Sequence, residues 1–192
     1  MTKDKIDKEL EEAFGTDAFL PENYNVPVGK SGYMKFKVGK NKFRILTSPI
    51  LGYEGWVTTA DDTGKEVRKP VRVRMSESIS VDAVDNPEEV KHFWAMPVWN
   101  YDDKKVQILE ITQKGIQKSI KALSSSEDWG SPLKYDLLVT KEGEKMATEY
   151  QTNPIPPVAL PSEAQEAWDK VKDKIKLDAL YEGKDPFEAL KV

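Results

Sequence analysis

The sequence has no cysteine and a single histidine, and both scarcities exclude classes of site. Without cysteine there is no disulfide, no thiolate metal ligand and no cysteine nucleophile. One imidazole, that of His92, does not make a multi-histidine metal site or leave a spare base for a catalytic triad. No apolar run approaches the roughly 20 residues that a membrane-spanning helix needs. We therefore expect an intracellular protein without metal, cofactor or membrane association.

Motifs for catalysis are also missing. Residues 28–31 resemble the end of a phosphate-binding loop, but Tyr24 stands where that motif requires its first glycine. Most acidic residues fall in predicted turns and loops, and few, such as Glu110 and Asp136, lie inside predicted strands. A magnesium-dependent nuclease needs carboxylates that converge from strands. We expect no enzymatic activity, and a nuclease is the weakest of the alternatives.

The formal net charge of -4 hides a basic block. Residues 27–76 hold eleven basic and four acidic groups, whereas residues 1–22 hold three basic and seven acidic groups. A basic block inside an acidic chain is the electrostatic footprint of a protein that binds a polyanion. A solvated lysine-rich face would give the same count of charges. The neighbouring aromatic residues are therefore what favours a binding surface over such a face.

Residues 91–101 contain four large aromatic side chains. Period-two alternation places Trp94 on one face of a strand and Phe93, Trp99 and Tyr101 on the other. One set can fill a core, which leaves the other to be explained. Rings beside positive charge suit single-stranded nucleic acid, because every base offers a π-face and every phosphate a charge.

The pattern of the chain predicts a mainly β protein. Alternation predicts strands over residues 33–38, 42–47, 52–58, 67–75, 92–100, 104–111, 135–140 and 147–152. An apolar stripe predicts a helix over residues 113–124 with Thr112 as its N-cap, and Ser162 opens a C-terminal helix. This order indicates an OB-fold-like, five-stranded Greek-key β-barrel with flanking helices, one between strands 3 and 4 and one at the C-terminus. An SH3-like barrel or a generic sandwich would also accommodate the strands.

We predict three regions. Residues 1–25 form an acidic N-terminal arm, and residues 26–155 form the nucleic-acid-binding core. Residues 156–192 form a C-terminal helix and tail, joined to the core through the proline-rich connector 153–157.

The strand alternation also nominates binding residues. Lys42 and Arg44 share one face while Phe43 and Ile45 face the core, so Arg44 is predicted to line a groove, as Arg72 and Arg74 do by the same logic. Tyr53 and Trp56 lie beside glycines, where a ring can stay open for stacking. Of Trp56, Trp94, Trp99 and Tyr101, we expect at least two at the ligand surface. The predicted DNA-binding residues are Lys42, Arg44, Tyr53, Trp56, Arg68, Lys69, Arg72, Arg74, Lys91, Trp94, Trp99, Tyr101 and Lys105.

With these residues assembled, the chain resembles phage-encoded single-stranded DNA-binding proteins of the OB-fold, helix-destabilising type. The similarity lies in residues 33–56, 91–113 and 128–136. It implies sequence-independent coating of single strands during phage DNA replication, recombination or repair, in the cytoplasm of a bacterial host. It also implies that acidic terminal regions recruit phage or host replication proteins or compete with DNA for the groove.

The chain departs from that family in two respects, and one other function stays open. It lacks the cysteines of the structural zinc site that some members of the family carry. Many members also end in an acidic tail whose last residue is aromatic, whereas here Phe187 is followed by five further residues. The alternative is an interaction module of the OB or SH3-like type whose aromatic groove holds a peptide or a glycan. The sequence leaves DNA-versus-RNA preference, site size and oligomeric state open.

Overall fold

A computed structural model describes residues 32–191, and the predicted acidic arm of residues 1–25 lies outside that range. The described part is mainly β, as predicted, with eight strands in one sheet and two α-helices. The strands are β1 (Tyr33–Met34), β2 (Gly39–Ile45), β3 (Ile50–Ala60), β4 (Glu66–Arg74), β5 (Lys91–Asn100), β6 (Lys105–Ile111), β7 (Leu137–Glu142) and β8 (Glu149–Pro154). The helices are α1 (Lys114–Ser124) and α2 (Ser162–Val171).

The sheet is open rather than a closed barrel. Its main path runs β1-β6-β5-β2-β7-β8, and the β3–β4 hairpin joins it through β3 and β5. Strands β2 and β3 lie along the same edge of β5, with Ile45 opposite Val98 and Ile50 opposite Ala95. The two strands therefore act as one long bent strand. Within the described residues, the end strands β1 and β8 do not pair with each other.

The inner face of the sheet carries the larger core. Phe43 and Ile45 are buried there, as their alternation predicted. The apolar stripe of α1 packs against this face through Ile116 and Ile120. The predicted helix therefore exists and buries the predicted side, although its N-cap is Gln113 rather than Thr112.

The outer face of β5 and β6 carries a second core. Phe93, Ala95 and Ile108 are fully buried there. The residues that cover them come from the C-terminal part of the chain, including Leu180 and Phe187. Strand β5 is thus buried on both faces, which explains why residues 91–101 carry large rings on both.

Residues 75–90 close an exposed strand edge. They form two short 3-10 turns, at Val81–Ala83 and Pro87–Glu89. The Asp85 N–H donates to the Trp56 carbonyl at 2.9 Å, and the Asp85 carboxylate accepts from the N–H and the hydroxyl of Thr58 at 3.1 and 2.7 Å. These bonds satisfy the Trp56 carbonyl and the Thr58 N–H, on the part of β3 that extends beyond its pairing with β5. Across residues 32–191, the helices are too short and too polar to span a bilayer.

Candidate nucleic-acid interface

The β3–β4 hairpin presents an aromatic ring and a cation together on its outer face. Trp56 is 36% exposed, and the central carbon of the Arg68 guanidinium lies 5.2 Å from the centroid of its ring. Pro70 lies directly opposite Trp56 on β4. Arg68 also lies 3.8 Å from Glu89, but both side chains are largely exposed and such pairs contribute little. The guanidinium lies over the ring as a cation–π contact, and the exposed part of Trp56 makes this pair a cationic platform of the kind on which a base can stack.

A cleft of about 900 Å³ begins beside this platform, between β4, β6 and the C-terminal turns. Its lining residues are Tyr33, Lys35, Lys69, Pro70, Arg72, Glu110, Leu180, Gly183, Lys184, Asp185, Phe187 and Lys191. Five of these side chains are cationic and two are acidic. Lys35 and Lys69 form no ion pair with any described residue, whereas Lys184 and Lys191 pair with acidic neighbours on the C-terminal segment. We call this space the β4–β6 cleft.

An ion cluster forms the floor of the β4–β6 cleft. The Arg72 guanidinium donates to Glu54 at 2.7 Å and to both carboxylate oxygens of Glu110 at 2.9 and 3.0 Å. Burial raises the pKa of the Glu110 carboxyl, Arg72 opposes that rise and Glu54 adds to it. Arg72 therefore lines the cleft, but its donors are engaged in tying the hairpin to β6.

A second cleft of about 370 Å³ continues from the first. The two share Tyr33, Lys35 and Glu110, and the second extends to Lys141 and Tyr150 on β7 and β8. Burial, followed by the charge of Glu110, raises the pKa of Tyr33 to about 12, so its hydroxyl stays protonated, and can donate a hydrogen bond, to a higher pH than that of an ordinary tyrosine. Together the clefts form a groove that runs across β1 and β6 from β8 to the hairpin.

Arg44 and Trp99 do not line this groove, and the prediction that they do is wrong. Arg44 is 3% exposed and Trp99 is 2% exposed. The Arg44 guanidinium donates to Asp136 at 2.6 Å and to the Val158 carbonyl at 2.9 Å. Alternation assigned these side chains to the outer face correctly, but both are buried there, and Val158, beyond β8, is one of the residues that cover Arg44.

Lys42 and Tyr101 are also drawn into the Asp136 cluster. The Lys42 ammonium lies 3.3 Å from Asp136 and 4.2 Å from the centroid of the Tyr101 ring. The Tyr101 hydroxyl donates to Asp136 at 3.0 Å. Burial and then this hydrogen bond raise the pKa of Tyr101 to about 12. Both side chains are half-buried, so only parts of them face solvent.

The remaining predicted cations lie apart from one another, with Arg74 on the hairpin and Lys91 and Lys105 at opposite ends of the β5–β6 pair. Arg74 is exposed on the same face as Trp56, with its guanidinium carbon 4.5 Å from the centroid of the Tyr181 ring. Lys91 and Lys105 are exposed at the starts of β5 and β6.

Two of the predicted rings lie on the opposite face of the hairpin. Tyr53 and Trp94 are half-buried there, on either side of His92. The His92 ring centroid is 5.7 Å from that of Tyr53, and its Nε2 accepts the Trp94 indole N–H at 3.0 Å.

Several groove residues escaped the sequence prediction. Tyr33 and Lys35 belong to a short alternation of basic and aromatic residues, and that pattern could have identified them as candidate groove residues. Lys184 and Lys191 gave no such signal, because residues 161–192 hold six basic and eight acidic groups and count as acidic. Only tertiary packing brings these two lysines to the wall of the cleft.

Comparison with protein-family models, curated proteins and solved structures finds no match to this chain. Among residues 32–191, no three His, Asp or Glu side chains come together in a way that would hold a metal ion.

Proposed function

We propose that the protein binds single-stranded DNA without sequence preference and without enzymatic activity. The observation that carries the proposal is the partly exposed Trp56 ring with the Arg68 guanidinium over it, next to Lys69 and Pro70, which line a groove with several lysines. Single-stranded nucleic-acid sites combine a stacking ring with a positively charged track along the backbone. Lys35 and Lys69 supply charge on that track without competing ion pairs among the described residues.

The strand order supports an OB-fold reading of the core. Counting β2 and β3 as one bent first strand makes β5 and β6 the second and third, and β7 and β8 the fourth and fifth. Helix α1 then falls between the third and fourth strands, and β4 is an addition to the first. OB-folds bind oligonucleotides across strands 2 and 3 and the loops beside them. The groove along β6 lies in the corresponding region.

The phage context rests on the family resemblance of residues 33–56, 91–113 and 128–136. Within that context we propose that the protein coats and protects single strands during DNA replication, recombination or repair. A second candidate is a peptide- or glycan-binding module, and one observation favours it. The Glu110 carboxylate lines both clefts and would repel a phosphate placed close to it.

Titration of intrinsic tryptophan fluorescence with oligo(dT) at two salt concentrations separates these functions. DNA binding predicts quenching that weakens steeply with salt, because phosphate contacts release counterions. Trp56→Leu should weaken binding by about 1–3 kcal/mol, the usual contribution of one stacked base. Replacing Arg68 and Lys69 with glutamine should weaken binding and also lower its salt dependence. Fluorescence that does not respond to micromolar oligo(dT) at low salt would overturn the proposal.

The matched control replaces Lys170 and Lys174 with glutamine. Both lysines are exposed on the C-terminal segment and neither lines a cleft described above. This double variant should bind oligo(dT) as the wild-type protein does. Arg72→Ala is not a suitable probe of binding, because it would leave Glu54 and Glu110 together without their shared cation.

A further inference from the structure

Helix α1 carries three lysines on one side and no acidic residue. Its sequence places Lys114, Lys118 and Lys121 at spacings of four and three residues, which puts them on one helix face. All three are exposed, and none forms an ion pair with a described residue. Lys114 lies in the first turn, where a positive charge opposes the helix dipole. Lys121 lies in the last turn, where the dipole favours a cation, so helix stability accounts for Lys121 but not for Lys114.

Gln117 fixes where this lysine stripe points. It lies three residues after Lys114 and four before Lys121, so its side chain borders the stripe. Its amide donates to the Ile111 carbonyl at 2.8 Å and to the His92 carbonyl at 3.2 Å. The stripe is thereby held beside the first half of β5.

That part of β5 adjoins the inner face of the hairpin, where rings are partly open. Tyr53 lies opposite His92, and Leu51 lies opposite Trp94. Leu51 is 39% exposed, and both Tyr53 and Trp94 are half-buried. We use the name helix-side surface for the three lysines of α1 together with Leu51, Tyr53 and Trp94. It lies on the face of the sheet opposite Trp56 and Arg68.

We propose that the helix-side surface is a second contact track for the same single strand, so that a long strand passes round the hairpin and touches both of its faces. The proposal rests on the single-stranded DNA-binding function argued above and extends it. Charge complementarity selects the occupant, because three lysines without an acidic neighbour on the helix match a run of phosphates. The rings beside them match bases rather than the side chains of an acidic peptide.

Replacing Lys114, Lys118 and Lys121 together with glutamine tests the proposal, because glutamine keeps the helix propensity and removes the charge. Binding is measured with oligo(dT) of about 8 and about 25 nucleotides, one within and one beyond the roughly 4–16 nucleotides covered by one OB-fold. We expect affinity for the long strand to fall about tenfold at low salt, with its salt slope reduced by about 2 for three lost contacts. Affinity for the short strand should stay unchanged, and the site size on poly(dT) should shrink.

The control variant replaces Lys170, Lys174 and Lys176, three exposed lysines of the C-terminal segment, and should behave as wild type with both lengths. An unchanged affinity for the long strand, or an equal loss for both lengths, would overturn the second track. Polyglutamate that binds the wild-type protein as tightly as the long strand does, and loses affinity in the α1 variant, would assign the surface to an acidic protein instead. If the wild-type protein binds neither length, the proposed function itself fails, and that outcome is distinct from the others.

Discussion

Asp136 organises the side chains at the junction of β2, β5 and β7. Its buried carboxylate accepts from Arg44 and Tyr101 and lies within ion-pair distance of Lys42. A buried charge requires such partners, because desolvation of an isolated carboxylate is costly. Three residues nominated for DNA binding are therefore held by one internal acid.

Asp136→Asn should lower the free energy of unfolding by about 3–5 kcal/mol, because it leaves the Arg44 guanidinium buried without its counter-charge. The matched control is Asp178→Asn, which removes an exposed carboxylate 3.7 Å from Arg74 and should change stability by less than about 1 kcal/mol. Urea denaturation followed by tryptophan fluorescence measures both. Equal losses in the two variants would contradict the role assigned to Asp136.

Tyr33 and Tyr101 should remain protonated to unusually high pH. Burial is the main reason that the pKa of each reaches about 12, against about 10 in the unfolded chain. The folded state then keeps a proton that the unfolded state releases, so the stability contributed by each group is present below pH 10 and is lost as the pH rises to about 12. Alkaline titration of phenolate absorbance in Tyr33→Phe and Tyr101→Phe should show that each variant lacks one late-titrating group. A variant that instead lacks an early-titrating group would refute the assignment.

At the scale of single residues, alternation predicted correctly on which face of a strand a side chain lies, but it predicted the solvent exposure of that side chain less well. Phe43 and Ile45 lie in the core as expected, and Arg44 and Trp99 lie on the opposite face as expected. The error was to treat that opposite face as solvent. The partners that cover Arg44 there are Asp136 and Val158, far along the chain, and a period-two pattern carries no information about such contacts.

Among the elements, the β3–β4 hairpin depends on glycine at two positions of close approach. A Cβ on Gly52 would collide with the Val73 carbonyl oxygen, and one on Gly55 would lie 2.5 Å from a methyl group of Val84. These glycines allow β4 and residues 81–90 to pack closely against β3. The glycine interruptions in this strand thus have a packing cause.

Gly52→Ala should destabilise the protein by about 1–3 kcal/mol, as overpacking of a tight contact does. Gly115→Ala is the matched substitution, because a Cβ there meets nothing within 4 Å and the residue lies inside α1. It should stabilise the protein by up to about 1 kcal/mol through helix propensity. Thermal unfolding followed by circular dichroism compares the two. A shift of both midpoints in the same direction would be inconsistent with these contacts.

Element prediction failed at β1 for a local reason. Alternation predicted a strand over residues 33–38, but only Tyr33–Met34 pairs, in parallel with β6. The Asn41 side chain accepts the Lys37 N–H at 2.9 Å and donates to the Lys37 carbonyl at 2.8 Å. Such side-chain bonds replace strand pairing and turn the chain into β2. The other predicted strands and both helices appear, with shifts of a few residues at their ends.

At the scale of the whole molecule, the inner and outer cores share two strands. Met96 and Leu109 belong to the inner core, while Phe93 and Ile108 of the same strands belong to the outer core. Sequence patterns identified the strands and α1 but not the open sheet or the cover of its outer face, because both depend on pairing between distant segments. Since β5 and β6 cannot lose one core without exposing the other, we expect the described part of the chain to unfold as one cooperative unit.

Ile175→Ala and Ile116→Ala test that cooperativity from the outer and the inner core respectively. Each removes a buried side chain and should cost about 2–5 kcal/mol. In both variants the unfolding curve should shift as a whole, and the transitions followed by circular dichroism and by tryptophan fluorescence should coincide. The fluorescence signal includes Trp129, which packs on the inner core, and Trp168, which packs on the outer core. If the C-terminal segment folded independently, Ile175→Ala would instead split the transition, releasing Trp168 before the sheet melts. Coincidence in Ile116→Ala together with such a split in Ile175→Ala would show that the outer cover is a separate unit.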